Sequence, residues 1–143
     1  MANKRINLPE RSIIRRTLAS YYKIEIMEEL ELRKAYRLQE IIEIVSKNIA
    51  NNGFTDSNYC LYSNEDIVQP NQLCYLELYP TIDDNEKEVY PDFVRDKSLD
   101  LFYYGEQFED VLMSVFEQKE TASINDYIDA LNYYMKNDTF MDF

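Results

Sequence analysis

The sequence predicts an α+β fold with N-terminal helices, a small, mostly antiparallel central sheet and two C-terminal amphipathic helices. Residues 1–52 lack glycine and proline after position 9, and their apolar residues recur at helical spacing. Residues 53–105 contain short apolar and aromatic runs separated by turn-forming residues, which is typical of strands. Residues 106–137 carry two further helical stripes. Because 143 residues suit one hydrophobic core, we expect one domain over 1–143.

The N-terminal region has two apolar stripes. The first consists of Ile14, Leu18, Tyr22, Ile26 and Leu30, and the second of Leu38, Ile41, Ile42, Val45 and Ile49. Gly53 follows the second stripe and predicts the end of its helix. The string YKIEI also alternates as a strand would, so one long helix and two shorter ones both stay open. We favour two helices, over about 9–22 and 27–51.

The middle region predicts a small sheet. NYCLYS is one candidate strand, and LCYLELY, over 73–79, is the best one because both of its faces are apolar, which indicates an interior position. Pro80 should end that strand. In EVYPDFV, Pro91 favours an edge strand or an extended loop, and LDLFYYG predicts a last strand that Gly105 closes.

The C-terminal region predicts two amphipathic helices. The stripe of the first is Phe108, Val111, Leu112, Val115 and Phe116, and that of the second is Ile124, Tyr127, Ile128, Leu131 and Met135. Ser123 is a suitable N-cap for the second helix, with Asp126 three residues later.

The charge is strongly negative and unevenly distributed. The chain has 15 basic and 27 acidic residues, a net charge of -12, and residues 51–143 hold 20 of the acids and only five of the bases. Such a field repels nucleic acid and anionic membranes and attracts cationic surfaces. We therefore expect a basic partner, with no direct binding to nucleic acid, membrane or a small-molecule substrate.

The residue types argue against an enzyme. Histidine is absent, which removes the commonest general base and metal ligand, and two glycines cannot build a glycine-rich phosphate loop. The spacing of Cys60 and Cys74 fits neither a redox nor a zinc motif, and we expect buried thiols. No segment resembles a secretory signal or a membrane span, so the expected location is the cytoplasm. No catalytic residue, cofactor or metal is predicted.

Two acidic patterns in the sequence are similar to known metal-binding motifs. Pro91-Asp92 with Glu117-Gln118-Lys119 fits the PD…ExK pattern of metal-dependent nucleases, but the second half falls on the solvent side of a predicted helix. DDNEKEVYPD, over 83–92, lacks the ligand spacing and central glycine of an EF-hand loop. We interpret the first as a chance match and the second as either a solvated charged turn or a partner-binding patch.

The partner-binding interpretation combines these acids with tyrosine, because carboxylates and aromatic rings are both suited to anchoring arginine. Tyr79, Tyr90, Phe93 and Tyr104 are expected at its rim. The expected contact residues are Asp83, Asp84, Glu86, Glu88, Tyr90, Asp92, Asp96, Glu106, Glu109 and Asp110.

A basic cluster precedes this region, made of Lys4, Arg5, Arg11, Arg15, Arg16 and Lys23. A basic helix of this kind can touch nucleic acid, but we favour contact with the acidic half of the same molecule or with an acidic partner.

Residues 72–143, with the strings CYLELYP, VYPDFV, FYYGEQFEDVL and DYIDALNYYMKNDTFMDF, resemble the C-terminal part of small acidic bacterial immunity proteins of contact-dependent inhibition and polymorphic-toxin systems. The resemblance implies a cytosolic protein that binds the C-terminal nuclease domain of a cognate toxin and blocks its active site. Two alternatives stay open. One is an acidic nucleic-acid mimic of phage origin, of the anti-restriction or anti-CRISPR type. The other is a regulatory or structural subunit whose basic N-terminal helices dock DNA or a dimer partner.

Overall fold

The computed structural model describes residues 29–143, and the predicted helix over 9–22 lies outside that range. The described chain forms an α+β fold, as predicted, in which a four-stranded sheet carries three long helices on one face. In chain order, its elements are β1 Ala35–Arg37, α1 Leu38–Asn52, β2 Cys60–Ser63, β3 Leu73–Glu77, β4 Thr81–Ile82, β5 Glu88–Val89, α2 Asp92–Asp96, β6 Asp100–Tyr104, α3 Gly105–Gln118 and α4 Ile124–Asn137.

The main sheet has the strand order β1-β3-β2-β6, and all its neighbouring strands are antiparallel. β3 is an interior strand, as its two apolar faces predicted, although it ends at Glu77, before Pro80. The register of β2 against β6 shifts between Leu61 and Tyr62, which marks a β-bulge. β4 and β5 form a separate two-stranded hairpin.

The main core lies between the sheet and α1, α3 and α4. Alternate strand residues such as Leu61 and Leu76 point into it, because successive side chains of a strand face opposite sides. The predicted stripes of the helices supply the rest, apart from the exposed Met135. Both C-terminal amphipathic helices are therefore confirmed.

The prediction of a helix over 27–51 is wrong at its beginning, because residues 35–37 form β1 and α1 begins at Leu38. Tyr36 is buried in the main core, and its hydroxyl accepts a hydrogen bond from the backbone N–H of Glu31 at 2.9 Å. Arg33 has a positive φ of 63°, which no helix interior allows. Tertiary packing of one aromatic side chain thus overrides the local helical propensity.

Two predicted helix ends are confirmed. The N–H of Gly53 donates to the carbonyl of Ile49 at 2.8 Å, with a φ of 80° that favours glycine. Ser123 and Asp126 form a capping box at the start of α4, and the Lys119 ammonium lies 3.1 Å from the Asp126 carboxylate. These hydrogen bonds, from Ser123 first and Lys119 second, lower the pKa of Asp126.

The segment EVYPDFV differs from its prediction in its second half. Glu88–Val89 is an edge strand, as Pro91 suggested, but Pro91 is the N-cap of the short helix α2 instead of part of an extended loop. Proline fits there because its fixed φ is compatible with a helix start and no N–H is needed.

We predict that Gly105→Ala destabilises the fold more than Gly53→Ala does. A Cβ at position 105 would lie 2.0 Å from the carbonyl oxygen of Tyr59 and 2.7 Å from that of Ser57, and backbone atoms cannot rotate away. The expected loss in free energy of unfolding is about 3 kcal/mol. At Gly53 nothing lies within 4 Å, so only the left-handed backbone costs energy, about 1 kcal/mol. Urea denaturation followed by circular dichroism measures both, and equal losses would contradict the prediction.

Candidate partner-binding surface

The face of the sheet away from the three long helices is lined by tyrosines. We call it the tyrosine face, formed by strand residues Cys60, Tyr62, Tyr75, Leu101 and Tyr104. The chain between β3 and β6 crosses and covers it. The side chains of that covering segment that pack here are Tyr79, Tyr90, Phe93, Val94 and Leu99.

Two aromatic contacts hold the ends of the β4–β5 hairpin. Tyr79, just before β4, stacks on Tyr104 with ring centroids 5.8 Å apart. Tyr90, directly after β5, meets Tyr62 edge to face at 6.1 Å. Such ring pairs contribute roughly 0.5–1.5 kcal/mol each beyond the area they bury. The base of the hairpin is therefore fixed to the sheet, while its strands and turn are exposed.

The turn of the hairpin is organised by Asp83. Its carboxylate accepts hydrogen bonds from the N–H groups of Asn85 at 2.8 Å and Lys87 at 3.0 Å, and its own N–H donates to the carbonyl of Lys87. Glu86 has a positive φ of 62°. The predicted contact residue Asp83 thus has a structural role in the turn, and Asp84 and Glu86 are exposed beside it.

Glu88 connects the hairpin to the tyrosines. One of its carboxylate oxygens accepts a hydrogen bond from the Tyr90 hydroxyl and the other from the Tyr104 hydroxyl, each at 3.3 Å. Burial, and then the negative charge of Glu88, raises the pKa of both phenols. Both rings therefore stay protonated as donors at neutral pH.

The first turn of α3 meets the same place. The backbone N–H of Glu106 donates to the Tyr79 hydroxyl at 3.0 Å, so this tyrosine satisfies one of the N–H groups that a helix start leaves open. Glu88 and Glu106 therefore lie around the stacked Tyr79–Tyr104 pair. The structure brings together three predicted contact residues here, Glu88, Tyr90 and Glu106.

The short helix α2 carries two other predicted contact residues. Asp92 forms an ion pair with Arg95 one turn later, and Asp96 is exposed. Phe93 lies edge to face against Tyr75 at 5.5 Å, and the Lys97 ammonium sits over both rings. The negative charge of α2 is therefore partly balanced by adjacent cations.

The prediction of Glu109 as a contact residue is wrong, because this side chain is only 1% exposed. Its carboxylate accepts a hydrogen bond from the backbone N–H of Thr55 at 2.9 Å. Gly105, Phe108, Glu109 and Leu112 follow the spacing i, i+3, i+4 and i+7, which places Glu109 inside the apolar stripe. Asp110, one position later, is exposed as predicted.

Three apolar side chains at this surface were missed. Leu78, Ile82 and Val89 are exposed around the hairpin, by 50%, 62% and 38%. For Ile82 and Val89 the available signal was their position next to the acids of 83–88, because turns and solvated charged loops favour polar residues, whereas Leu78 belongs to the apolar run LCYLELY.

The structure also gives the positions of the two cysteines and of the PD…ExK residues. Cys60 and Cys74 are both buried and free, on opposite faces of the sheet, and burial raises the pKa of Cys60 to about 11 and of Cys74 to about 12. The two halves of the PD…ExK pattern have separate partners, since Asp92 pairs with Arg95 and Lys119 with Asp126. Within residues 29–143 there is no group of three or more potential metal-ligating His, Cys, Asp or Glu side chains. Over the same range, no helix combines the length and apolar character that crossing a membrane requires.

Fold and surface together define an α+β domain that displays an acidic hairpin on a base of tyrosines. A family model described as a domain of unknown function (DUF7716) matches residues 35–143, and the chain belongs to that family. The match starts at the first residue of β1 and includes the hairpin and both C-terminal helices. No curated protein and no solved structure matches the chain.

We predict that Glu88→Gln lowers the pKa of Tyr90 and Tyr104. The amide removes the negative charge that disfavours both phenolates. In the native protein the raised pKa values mean that the phenols' contribution to stability is present below about pH 10 and is lost as pH rises through the folded-state values. Alkaline titration of the tyrosine ring signals by NMR measures the shift. Asp84→Asn, at the turn, is the control, and an equal shift in both variants would disprove the assignment.

Proposed function

We propose that this protein is an immunity protein of a bacterial toxin system, which binds a cognate basic nuclease domain in the cytoplasm and blocks its active site. The observation that carries this proposal is the exposed acidic hairpin, held at both ends by tyrosines. In this proposal the chain has no catalytic activity, cofactor or small-molecule substrate of its own.

The charge of the described chain supports a cationic partner. Residues 29–143 carry nine Lys or Arg against 24 Asp or Glu, a net charge of -15. A nuclease needs a basic cleft because its substrate is a polyanion, and the same cleft attracts an acidic protein. Long-range attraction of this kind raises association rates by about 10 to 1,000-fold at low salt.

The tyrosines supply a rigid part of the same surface. Tyr79 and Tyr104 are stacked, and Tyr104 also donates to Glu88, so carboxylate and ring are presented together. An arginine can pair with a carboxylate while stacking on an aromatic ring. In the proposed complex, the central contacts are made by Asp84, Glu86, Glu88, Tyr90 and Glu106. Asp92, Asp96 and Asp110 form its rim.

The alternative, a nucleic-acid mimic of phage origin, relies on carboxylates that imitate phosphates. The exposed apolar side chains Ile82 and Val89 favour the immunity protein, because a phosphate backbone offers nothing comparable.

The test is co-expression with the product of the gene immediately upstream. We expect that product to be basic, to copurify with this protein, and to lose its nuclease activity when bound. An upstream product that neither binds nor is inhibited would overturn the proposal. Inhibition of a restriction or CRISPR nuclease instead would support the mimic.

We predict that the rate of association with the partner depends more on the location of the acidic residues than on their number. Asp84→Asn with Glu86→Asn neutralises the turn while leaving Asp83 to hold it, and asparagine tolerates the positive φ at position 86. The pair Glu117→Gln with Glu120→Gln makes the same change of net charge at exposed positions near the far end of α3.

The turn variant should bind the upstream product at least about tenfold more slowly at low salt and show a flatter salt dependence, whereas the control should stay near wild type. Stopped-flow association at several ionic strengths measures both rates. Equal effects of the two variants would mean that only the overall charge acts, and would reject the hairpin as the binding site.

A further inference from the structure

We infer that the β4–β5 hairpin enters a cleft in the basic partner, with one apolar side chain on each of its faces in contact with a wall of that cleft. This inference rests on the proposed function and adds the shape and chemistry of the surface that the partner must offer.

The register of the hairpin places its two apolar side chains on opposite faces. Thr81 pairs with Val89, and Ile82 pairs with Glu88. Residues directly opposite each other in an antiparallel pair share a face, and neighbours along a strand alternate. Ile82 therefore shares one face with Glu88, and Val89 shares the other with Thr81.

Both faces are open within residues 29–143. Ile82 is 62% exposed and Val89 38%, and all four strand residues of the hairpin are exposed. Leu78, 50% exposed, lies at the base. A single exposed apolar side chain is ordinary, but three within twelve residues that also hold four acids form a local apolar group of the kind found at interaction sites.

Apolar contact on two faces indicates a cleft. A flat partner surface would cover only one side of the hairpin and leave either Ile82 or Val89 in water. A disordered polycation would neutralise the carboxylates without offering apolar surface to either side chain. A folded basic protein with a cleft can cover both faces at once, and clefts are where enzymes hold their substrates.

The charges near the two apolar side chains indicate the charge that the cleft must carry. Residues 81–89 hold four acids, Asp83, Asp84, Glu86 and Glu88, and one base, Lys87. These charges lie between Ile82 and Val89 in the chain, and Glu88 pairs directly with Ile82, so the apolar side chains have charged neighbours, as the apolar centre of an interface has a polar rim. The occupant that fits is thus a protein cleft with basic walls and an apolar patch on each wall.

The hairpin is also preorganised for insertion. Asp83 fixes the turn, and Tyr79 and Tyr90 fix the base. Little conformational entropy is then lost on binding, so buried apolar area is converted more fully into affinity. The acids should control the rate of association and the apolar pair the rate of dissociation.

The test compares Ile82→Thr and Val89→Thr with a matched control, Ile67→Thr. Ile67 is 66% exposed and lies in the β2–β3 connection, away from the hairpin, so it matches Ile82 in residue type and exposure. Dissociation from the immobilised upstream gene product is measured by surface plasmon resonance, and poly-L-arginine serves as a second probe. Because all three side chains are exposed, melting temperatures should equal that of the wild type.

We expect Ile82→Thr and Val89→Thr each to raise the dissociation rate by about tenfold, with association rates changed by less than about twofold. Ile67→Thr should dissociate like the wild type, and all four proteins should bind poly-L-arginine alike.

If the wild type binds the upstream product and Ile82→Thr dissociates at the same rate as Ile67→Thr, the inference of a cleft is overturned while the proposed function stands. An effect of only one of the two hairpin variants would indicate a flat contact and would also overturn the inference of a cleft. Failure of the wild type to bind the upstream product would overturn the proposed function, and the cleft with it.

Discussion

The exposed acidic hairpin depends on one constraint, which is that both faces of the main sheet are apolar and must be covered. Three helices cover one face, and the other carries tyrosines that also need burial. The only connection that crosses that second face is the chain between β3 and β6, among the residues that the structure describes. Because Tyr79 and Tyr90 of this connection pack on the sheet, the nine residues between 81 and 89 are left to project as a hairpin.

Tyrosine suits this arrangement because it can be buried and polar at the same time. Its ring packs like any aromatic side chain, while the hydroxyl satisfies a neighbouring group at the edge of the cluster. The Tyr62 hydroxyl donates to the carbonyl of Leu78, and that of Tyr79 accepts from the N–H of Glu106. A phenylalanine at either position would leave a backbone group near the surface without this partner. The tyrosine rings thus support the hairpin by packing, and their hydroxyl groups form hydrogen bonds with backbone groups beside it.

The elements that could be predicted from the sequence are those with a clear period. The stripes of α1, α3 and α4 and the two-sided apolar run of β3 extend over several turns or pleats, so local spacing determines which side is buried. β1 could not be predicted, because three residues are too short for a period and Tyr36 is drawn into the core by tertiary packing. The burial of Glu109 could have been predicted, because Glu109 occupies a position in the apolar stripe of α3. Its charge, however, favoured a prediction of exposure.

The sequence allowed us to predict which residue types form the candidate surface, but not how they are arranged in space. A run of acids next to tyrosines indicated an interface, and Glu88, Tyr90 and Glu106 do lie around the same pair of rings. The role of Asp83 in the turn depends on backbone N–H groups that only a folded loop brings to it. The exposure of Ile82 and Val89 depends on strands of two residues each, which carry no readable alternation.

The bulge between β2 and β6 affects how readily a further strand can add to this side of the sheet. Among the strands of residues 29–143, β6 is outermost on its side of the sheet, and an outermost strand is a template for adding a strand from another copy. The extra residue increases the local twist and interrupts the regular row of donors and acceptors. Because the bulge bends this edge of the sheet, we expect strand addition from another copy to be disfavoured there, even though the hairpin displays apolar side chains.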